Sequence, residues 1–338
     1  MFANFYHLSG LPFLLTPDTR FFYGSSGHSR AISHLVYGLS QQEGFIVITG
    51  EVGSGKTTLV EQLWAQLDRK TYVIARVVTT QVSGDDLLRL VMANFGLGDT
   101  PGTDKSTLLR RFEHMVRDQR KQGRRCLLVI DEVQNLSVPA LEELRMLSNL
   151  TVDGKASLQT ILLGQPQFRP IMASPDLDQL RQRVLASFHL GPLTEAETRH
   201  YIEHRMRTVD WQGDPAFEES AFVAIHQHSG GIPRRINTLC SRVLLLGALE
   251  ESHTITAAMV DTTAEELNRD LGAELTPGRP HAGANVANGY HPNDRSRGDD
   301  SLDELTRRVE TLERHAFRQD QAFRRVLDLL EANATGRS

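Results

Sequence analysis

The segment Gly50-Glu51-Val52-Gly53-Ser54-Gly55-Lys56-Thr57 constrains the fold of this chain more than any other. It follows an apolar run at residues 45–49, which predicts a buried strand, and precedes a stretch with helical periodicity at residues 56–67. A glycine-rich turn between a strand and a helix lets backbone N–H groups surround phosphate oxygens at the positive end of the helix. The segment therefore matches the Walker A pattern in its required context, and a chance glycine-rich loop is the alternative.

The residue types of this loop predict ATP and Mg²⁺ as the cofactors. Lys56 is expected to reach the β- and γ-phosphates, and the Thr57 hydroxyl is expected to bind magnesium. The residues predicted to contact the nucleotide are Gly50, Glu51, Val52, Gly53, Ser54, Gly55, Lys56, Thr57 and Thr58, together with Asp131 from a second motif.

That second motif supplies the carboxylates of a hydrolysing site. The apolar residues 127–130 predict a buried strand that ends at Asp131 and Glu132. Asp131 is the expected magnesium ligand, and Glu132 can polarise an attacking water. Alone, the two carboxylates would be an ordinary solvated turn, but downstream of a Walker A loop they indicate a Walker B motif. Gln134 and Asn135 are weaker candidates, because capping of the next helix explains them equally well.

Strands and helices alternate up to about residue 190, and this alternation predicts a parallel sheet covered on both faces. From Thr194 onward the pattern is purely helical. Thr194 and Glu197 fit a capping box. Further helices are predicted to begin at Asp214-Pro215, at Gly231-Ile232-Pro233 and at Thr254. The fold class is thus an α/β P-loop NTPase core with a C-terminal all-helical lid.

The predicted organisation has five parts. An N-terminal segment at 1–40 packs on an ATPase core at 41–193, and a helical lid follows at 194–271. Residues 272–300 contain five glycines and three prolines and predict a disordered linker. Apolar residues at alternating spacings of three and four in residues 301–332 predict a heptad helix for self-association or a protein partner, and a single amphipathic helix docking on the core is the alternative.

Composition narrows the class of partner. The chain has 37 Lys and Arg against 42 Asp and Glu, a formal charge of −5, which argues against a broad basic surface for nucleic acid. The two cysteines, Cys126 and Cys240, are too few for a disulfide framework or a zinc cluster and are expected in the core. The N-terminus lacks the pattern of a signal peptide, and no run of about 18 apolar residues occurs. These features predict a soluble cytoplasmic protein, at most peripheral to the inner membrane.

Phosphoryl transfer also needs charge stabilisation from outside the loop. Arg181 and Arg183 lie just before the predicted fifth strand, and Arg234 and Arg235 lie at the start of a lid helix. Gln165 follows the fourth strand, where it can contact the γ-phosphate or the water. For any single arginine, an ordinary surface charge is the alternative.

Several segments resemble one known family. Residues 44–58, 162–166 and 230–237 are similar to the general secretion pathway protein A group of AAA+ ATPases, as are the aromatic and proline residues of 5–24. Leu144-Arg145-Met146-Leu147-Ser148-Asn149 and Leu180-Arg181-Gln182-Arg183-Val184 resemble the secretion ATPases of PEP-CTERM/exosortase and exopolysaccharide loci.

The resemblance implies roles for four residues outside the loop. Glu132 would be the catalytic base, Gln165 sensor 1, Arg183 a finger acting on a neighbour's nucleotide, and Arg234 sensor 2; the choice of Arg183 over Arg181 stays open. The group typically continues into a transmembrane segment and a peptidoglycan-binding domain, where this sequence has a polar linker and a heptad helix. Direct action on the cell wall is therefore doubtful, and a partner in an inner-membrane secretion or polysaccharide assembly is expected.

The sequence thus favours an ATP-hydrolysing switch or motor that assembles as a dimer or ring. A DNA-binding regulator of the transposition type is the alternative, because such ATPases share the core and lid, but the acidic charge argues against it. A scaffold that uses ATP for assembly alone is a third possibility, disfavoured by the intact pair Asp131-Glu132. His200 and His204 have a metal-compatible spacing but lack an evident third ligand, so a packing role is favoured.

Overall fold

The computed structural model describes residues 2–271 apart from 17, 69, 79–83, 99–101 and 153. Its strands are β1 (Phe45–Gly50), β2 (Tyr72–Val78), β3 (Arg125–Asp131), β4 (Thr151–Val152), β5 (Lys155–Ala156), β6 (Leu158–Gly164), β7 (Val184–Leu190), β8 (Ala216–Phe217) and β9 (Thr254–Ile255). Its α-helices are α1 (Phe2–Phe5), α2 (Ser26–Gln41), α3 (Lys56–Gln66), α4 (Gly84–Asn94), α5 (Lys105–Lys121), α6 (Val138–Ser148), α7 (Phe168–Met172), α8 (Asp178–Arg181), α9 (Glu195–Arg207), α10 (Glu219–Ser229), α11 (Pro233–Leu249) and α12 (Ala257–Leu271). Short 3₁₀ helices occur at Thr19–Phe21, Val133–Asn135 and Pro175–Leu177.

Within the described residues, five strands form one parallel sheet in the order β2-β3-β6-β1-β7. The register pairs Thr49 of β1 with Gly164 of β6, and Ile130 of β3 with Leu162 of β6. The carboxyl ends of these three neighbouring strands therefore meet at one edge of the sheet. Both motifs follow strands that end at this edge, which brings them together in space.

Apolar side chains cover both faces of the sheet, as the alternating pattern predicts. On one face, Leu88 and Phe112 of α4 and α5 pack against the strands in a fully buried cluster. On the other face, Leu35 of α2 and Leu59 of α3 pack against Ile46 and its neighbours. The sheet is the parallel α/β core that the sequence predicts, and burial on both faces explains why β1 and β3 are almost continuous apolar runs.

The last four helices, α9 to α12, form a second apolar cluster with the start of the chain. Phe2, Tyr6, Phe13 and Phe21 are buried against these helices. The N-terminal segment thus divides between two neighbours, because α2 packs on β7 and β1 whereas the residues before it pack on the helical part. The prediction that residues 1–40 pack on the core therefore holds only for α2.

The sequence is correct about two helix starts in this part and wrong about two others. The capping box of Thr194 and Glu197 is present at α9, and α11 begins at Pro233. No helix begins at Asp214-Pro215 or at Thr254, because these residues lead into the parallel pair β8–β9. The N–H of Ala216 donates to the carbonyl of His253 at 2.9 Å, and Asp214 contacts His253 at 2.8 Å. This long-range pairing prevails over the local cap-then-proline signal, and the helices begin later.

Two predictions lie outside the described residues, namely the linker at 272–300 and the heptad helix at 301–332. Among the residues that are described, no helix is long and apolar enough to cross a bilayer. Cys126 and Cys240 are both free and buried, as expected.

Candidate nucleotide-binding site

The loop between β1 and α3 depends on two glycines in the left-handed region. Gly53 has φ +82° and Gly55 has φ +95°, backbone values that residues with a Cβ rarely adopt. A Cβ at Gly53 would lie 2.3 Å from Cβ of Arg234, and one at Gly55 would lie 2.9 Å from Nε2 of His28. The N–H of Arg234 also donates to the carbonyl of Gly53 at 3.2 Å. The lid helix α11 and the N-terminal helix α2 therefore both touch this loop.

Lys56 begins α3 and is almost fully enclosed, with 6% of its surface exposed. Its Nζ donates to the carbonyls of Gly50 at 2.8 Å and Glu51 at 2.9 Å. Burial lowers the pKa of this ammonium, and the nearby carboxylates, Glu132 first among them, oppose the shift. The loop thus holds one cation in its centre, surrounded by main-chain groups.

Thr57 and Asp131 stand side by side next to this cation. The Thr57 hydroxyl donates to Oδ2 of the buried Asp131 at 2.9 Å. Hydroxyl and carboxylate oxygens are hard donors of the kind Mg²⁺ prefers, and P-loop sites complete its shell with phosphates and waters. The two side chains fit a magnesium ion, although the described residues contain no group of three or more His, Cys, Asp or Glu that could hold a metal by themselves.

Arg76, which the sequence analysis overlooked, contacts the same carboxylate. It lies on β2, whose end is in register with Asp131, and its guanidinium donates to Oδ2 of Asp131 at 2.9 Å. The same guanidinium donates to Glu61 of α3 at 3.1 Å. Arg76 thereby connects Asp131 to α3, the helix that follows the loop. The one signal that could have suggested this contact is the position of Arg76 on the strand next to the one that ends at Asp131.

Glu132 has a backbone φ of +55°, and two amides hold its carboxylate. Nε2 of Gln134 donates to Oε2 at 2.6 Å, and Nε2 of Gln165 donates to the same oxygen at 3.0 Å. Burial alone would raise the pKa of Glu132, but these amides and Lys56 outweigh it and lower the pKa below its ordinary value. Glu132 is consequently an ionised acceptor at neutral pH, as a base for water must be.

The interpretation of Gln134 as a helix cap is wrong. Ser137 caps α6, since its hydroxyl accepts from the N–H of Ala140 at 3.4 Å. Gln134 lies in the 3₁₀ turn before it, where its Oε1 accepts from the N–H of Gln165 at 2.9 Å. One side chain therefore bridges the end of β3 and the end of β6. The adjacency of these strands, which the sequence order hides, is what brings the two glutamines together.

A cleft of about 290 Å³ opens from the loop toward the helical part. The loop and Glu132 line one end of the cleft, and the N-terminal segment, α9 and α11 line the far end. The far end is largely aromatic and apolar, which suits a flat base, whereas the loop end is polar. Residues of the far end include Leu14, Phe22, Tyr23, Leu193, Tyr201, Arg205, Pro233 and Asn237.

Arg205 stabilises the far end of this cleft, and the sequence analysis did not identify it. The side chain is only 6% exposed, and its Nε donates to the carbonyl of Pro12 at 2.6 Å. A second guanidinium nitrogen donates to the Tyr201 hydroxyl at 2.9 Å, and the group lies over the Phe21 ring at 4.6 Å. A buried cation held by carbonyls and rings fixes the N-terminal segment to α9.

His28 supports the loop from the other side. It is buried, and its Nδ1 lies 2.7 Å from the Ser25 hydroxyl. Burial lowers its pKa, with Glu197 and the Ser54 backbone acting in the opposite direction, so the imidazole is neutral at pH 7. Glu197 also accepts from the N–H of Ser26 at 2.8 Å, which links α9 to the start of α2. The sequence offers no local motif for His28, which precedes the loop by a whole helix.

The two candidate finger arginines lie far from the loop of their own chain. Arg183 precedes β7, and its carbonyl accepts from the N–H of Phe45 at the start of β1, the strand end opposite Gly50. It donates to the Ser148 hydroxyl at 3.2 Å, and no carboxylate of the described residues forms an ion pair with it. Arg181 forms an ion pair with Asp178. Any action of Arg183 on phosphates must therefore involve a neighbouring chain.

His200 and His204 belong to no cluster that could hold a metal among the described residues. His204 packs beside the ring of Tyr23 at 5.8 Å, and burial lowers its pKa. This arrangement agrees with a packing role for His204.

Comparison with known proteins indicates the class of protein to which this fold and site correspond. Residues 39–172 match the family model of the AAA domain, in agreement with the parallel α/β fold of this region. The chain is also similar to general secretion pathway protein A of Aeromonas hydrophila, with 36% identity over 278 residues. This alignment covers 80% of the present chain and 50% of the relative, so the chain spans about half the length of that protein. The predicted resemblance to this group of AAA+ proteins is confirmed.

Solved structures support the fold. The Cdc6p structure from Pyrobaculum aerophilum has a TM-score of 0.60 at 14% identity and covers 74% of this chain and 71% of that chain. The Aeropyrum pernix ORC2 protein, in its ADPNP-ADP complexes, has a TM-score of 0.53 at 17% identity, covering 71% of this chain and 66% of that one. At such identities the similarity concerns the fold alone.

Proposed function

We propose that this protein binds ATP with Mg²⁺ in the cleft between sheet and helices and hydrolyses it to ADP and phosphate. The observation that carries the proposal is the convergence of Lys56, the Thr57–Asp131 pair and the amide-held Glu132 at one edge of the sheet. A loop that only bound phosphate would not need an ionised carboxylate oriented by two amides.

In this proposal each side chain has one task. Lys56 exchanges its loop carbonyls for β- and γ-phosphate oxygens, and Thr57 and Asp131 hold Mg²⁺. The metal, when bound, neutralises charge on the phosphates. Glu132 accepts a proton from the attacking water. At the same time the oxygen of that water forms a bond to the γ-phosphorus, and the bond between this phosphorus and the β,γ-bridging oxygen breaks. Gln165 orients the water or the γ-phosphate.

Arg234 and Arg183 complete the proposed site. Arg234 lies at the start of α11 against Gly53, where its guanidinium can contact the phosphates. Loss of a phosphate would remove this contact and so change the position of the lid. Arg183 supplies the finger to a neighbouring subunit's nucleotide, and its distance from the loop of its own chain supports this assignment over action in cis. The active form is therefore a dimer or a ring, built through the nucleotide interfaces.

The biological setting that we propose is a bacterial secretion or exopolysaccharide system of the PEP-CTERM/exosortase type. The similarity to general secretion pathway protein A supports a secretion role, and residues 144–149 and 180–184 carry the resemblance to the exosortase-associated group. The protein would act as a nucleotide-driven switch or motor on the cytoplasmic side of an inner-membrane assembly. Residues 301–332 would bind a partner or a second copy.

Two substitutions separate binding from hydrolysis. Lys56→Ala should abolish binding of a fluorescent ATP analogue, because the only cation inside the loop is lost. Glu132→Gln should bind the analogue with nearly unchanged affinity but hydrolyse ATP at least about a hundredfold more slowly, the size of general-base effects. Phosphate release and analogue fluorescence are the measurements. Near-normal steady-state hydrolysis by Glu132→Gln would exclude Glu132 as the base.

A mixing experiment tests the finger in trans. Arg183→Ala and Lys56→Ala proteins should each be inactive, and a mixture should regain activity where an intact loop meets an intact finger. Arg181→Ala is the matched control and should hydrolyse ATP alone, since its guanidinium is paired with Asp178. A mixture that stays inactive although both variants co-assemble would count against Arg183.

A further inference from the structure

A second polar cavity lies at the edge of the sheet opposite the nucleotide loop. It has a volume of about 220 Å³ and opens among the starts of β2, β3 and β6 and the end of α5. The cleft of the proposed ATPase does not include any of its residues. The cavity is lined by Gln42, Tyr72, Arg120, Gly123, Arg124, Arg125, Cys126, Ala156, Ser157 and Gln159.

Three guanidinium groups line this cavity, and each has a neutral partner. Arg120 donates to the carbonyl of Ala156 at 2.8 Å, and Arg124 donates to Oε1 of Gln122. Arg125 lies over the ring of Tyr72 at 5.8 Å and reaches its hydroxyl at 3.4 Å. A guanidinium offers five N–H donors, so most of the donors around this cavity remain available.

The charge of these arginines is not neutralised by the described part of the chain. Several other arginines on the helices pair with a carboxylate, such as Arg117 with Glu113, but none of the three forms an ion pair with a described Asp or Glu. Among the residues that the structure describes, no carboxylate lines the cavity. In a chain with a net charge of −5, this is a local concentration of positive charge.

The helix dipole explains only part of this concentration. Arg120 lies in the last turn of α5, where a cation is stabilised by the negative end of the helix. Arg124 follows the helix end and Arg125 begins β3, so the dipole effect, which acts within the last turn, does not account for them. Because they lie at the mouth of a cavity without a carboxylate partner among the described residues, a bound anion would compensate their charge.

We propose that this cavity binds a small phosphate-bearing anion. Guanidinium groups match phosphate oxygens with paired, charge-assisted hydrogen bonds, and they do so better than a point charge such as ammonium. At about 30 Å³ for each water molecule, the cavity has room for about seven waters, the size of one or two phosphate groups and smaller than a nucleotide. Inorganic pyrophosphate is the probe that fits.

The test must exclude binding at the nucleotide loop, so it uses the full chain carrying Lys56→Ala. Calorimetric titration with pyrophosphate should show one saturable site in this background. Adding Arg124→Ala and Arg125→Ala should weaken pyrophosphate binding about tenfold or more, since each lost charge-assisted bond is worth about that factor. The matched control adds Arg30→Ala and Arg169→Ala, two exposed arginines outside the cavity, and should bind like the background.

Lysine replacements separate recognition from bare charge. Arg124→Lys and Arg125→Lys should bind more weakly than the background, yet more tightly than the alanine variant. The absence of saturable binding in the Lys56→Ala background, or equal binding by the alanine variant, would overturn the proposal. Co-flotation with phosphatidylglycerol vesicles tests whether the cavity binds a lipid headgroup phosphate instead of a free one. Binding to vesicles without binding to pyrophosphate would also overturn the proposal. Because Lys56→Ala is used throughout, failure here is independent of the proposed ATPase.

Discussion

Gln134→Ala should shift the pH dependence of hydrolysis without removing the base. Its Nε2 donates to Glu132 at 2.6 Å and so stabilises the charged carboxylate relative to the neutral acid. Removing the amide raises the pKa of Glu132, because the ionised form loses more than the protonated one. The acidic limb of the kcat profile should therefore move to higher pH, while at pH well above that pKa the base is still ionised.

The size of the shift follows from the contacts. A hydrogen bond to a charged group is worth about 1.5–3 kcal/mol. One pKa unit corresponds to about 1.4 kcal/mol, so complete loss of the bond would raise the pKa by about 1–2 units. Glu132 is half-buried and keeps the amide of Gln165 at 3.0 Å, and water can replace part of the lost bond. We expect a shift of about one unit.

The assay is phosphate release at saturating ATP between about pH 5 and pH 9, where the limb reports the enzyme–substrate complex. Gln212→Ala, at an exposed glutamine outside the cleft, is the matched control and should leave the profile unchanged. A uniform fall in kcat at every pH, with the acidic limb unmoved, would refute the reasoning. It would mean that Gln134 only positions Gln165, whose N–H donates to its Oε1.

Two glycine substitutions test the packing around the site. Gly53→Ala places a Cβ 2.3 Å from Cβ of Arg234 at φ +82°, where the backbone alone costs about 1–2 kcal/mol, so affinity for a fluorescent ATP analogue should fall about tenfold or more. Gly191→Ala, with nothing within 4 Å, should bind normally, and equal affinities would contradict the proposed contact. Gly38→Ala places a Cβ 2.5 Å from Ile46, and overpacking of about 1–3 kcal/mol should exceed the helix gain of about 1 kcal/mol. Urea unfolding should show net destabilisation, partly relieved by Ile46→Val; a stabilised Gly38→Ala protein would show that α2 can shift.

The sheet is predictable from the sequence because its signals are local. β1 and β3 are almost continuous apolar runs, and the helix α5 forms because its apolar spacing and its cap, Asp104, lie within one short stretch of the chain. The loop at 50–57 is similarly self-contained, since its glycines, lysine and threonine are adjacent in the chain.

Contacts between distant segments were not predictable in the same way. Gln134 contacts Gln165 only because β3 and β6 are neighbours, and Arg205 contacts Pro12, from which it is separated by 193 positions. The helix expected at Asp214-Pro215 fails for the same reason, since pairing with Thr254 and Ile255 competes with the local cap. Spacing along a sequence carries no information on such partners without the strand order.

The backbone of Glu132 has a consequence for the evolution of this protein. At φ +55° a residue with a Cβ is held in a conformation that costs about 1–2 kcal/mol and that glycine adopts freely. A glycine at this position would relieve that conformational cost, but it would also remove the carboxylate that accepts from the amides of Gln134 and Gln165. On the proposed function, the protein keeps a conformationally costly residue where hydrolysis needs a carboxylate, and a glycine at position 132 becomes tolerable only once selection for hydrolysis is relaxed.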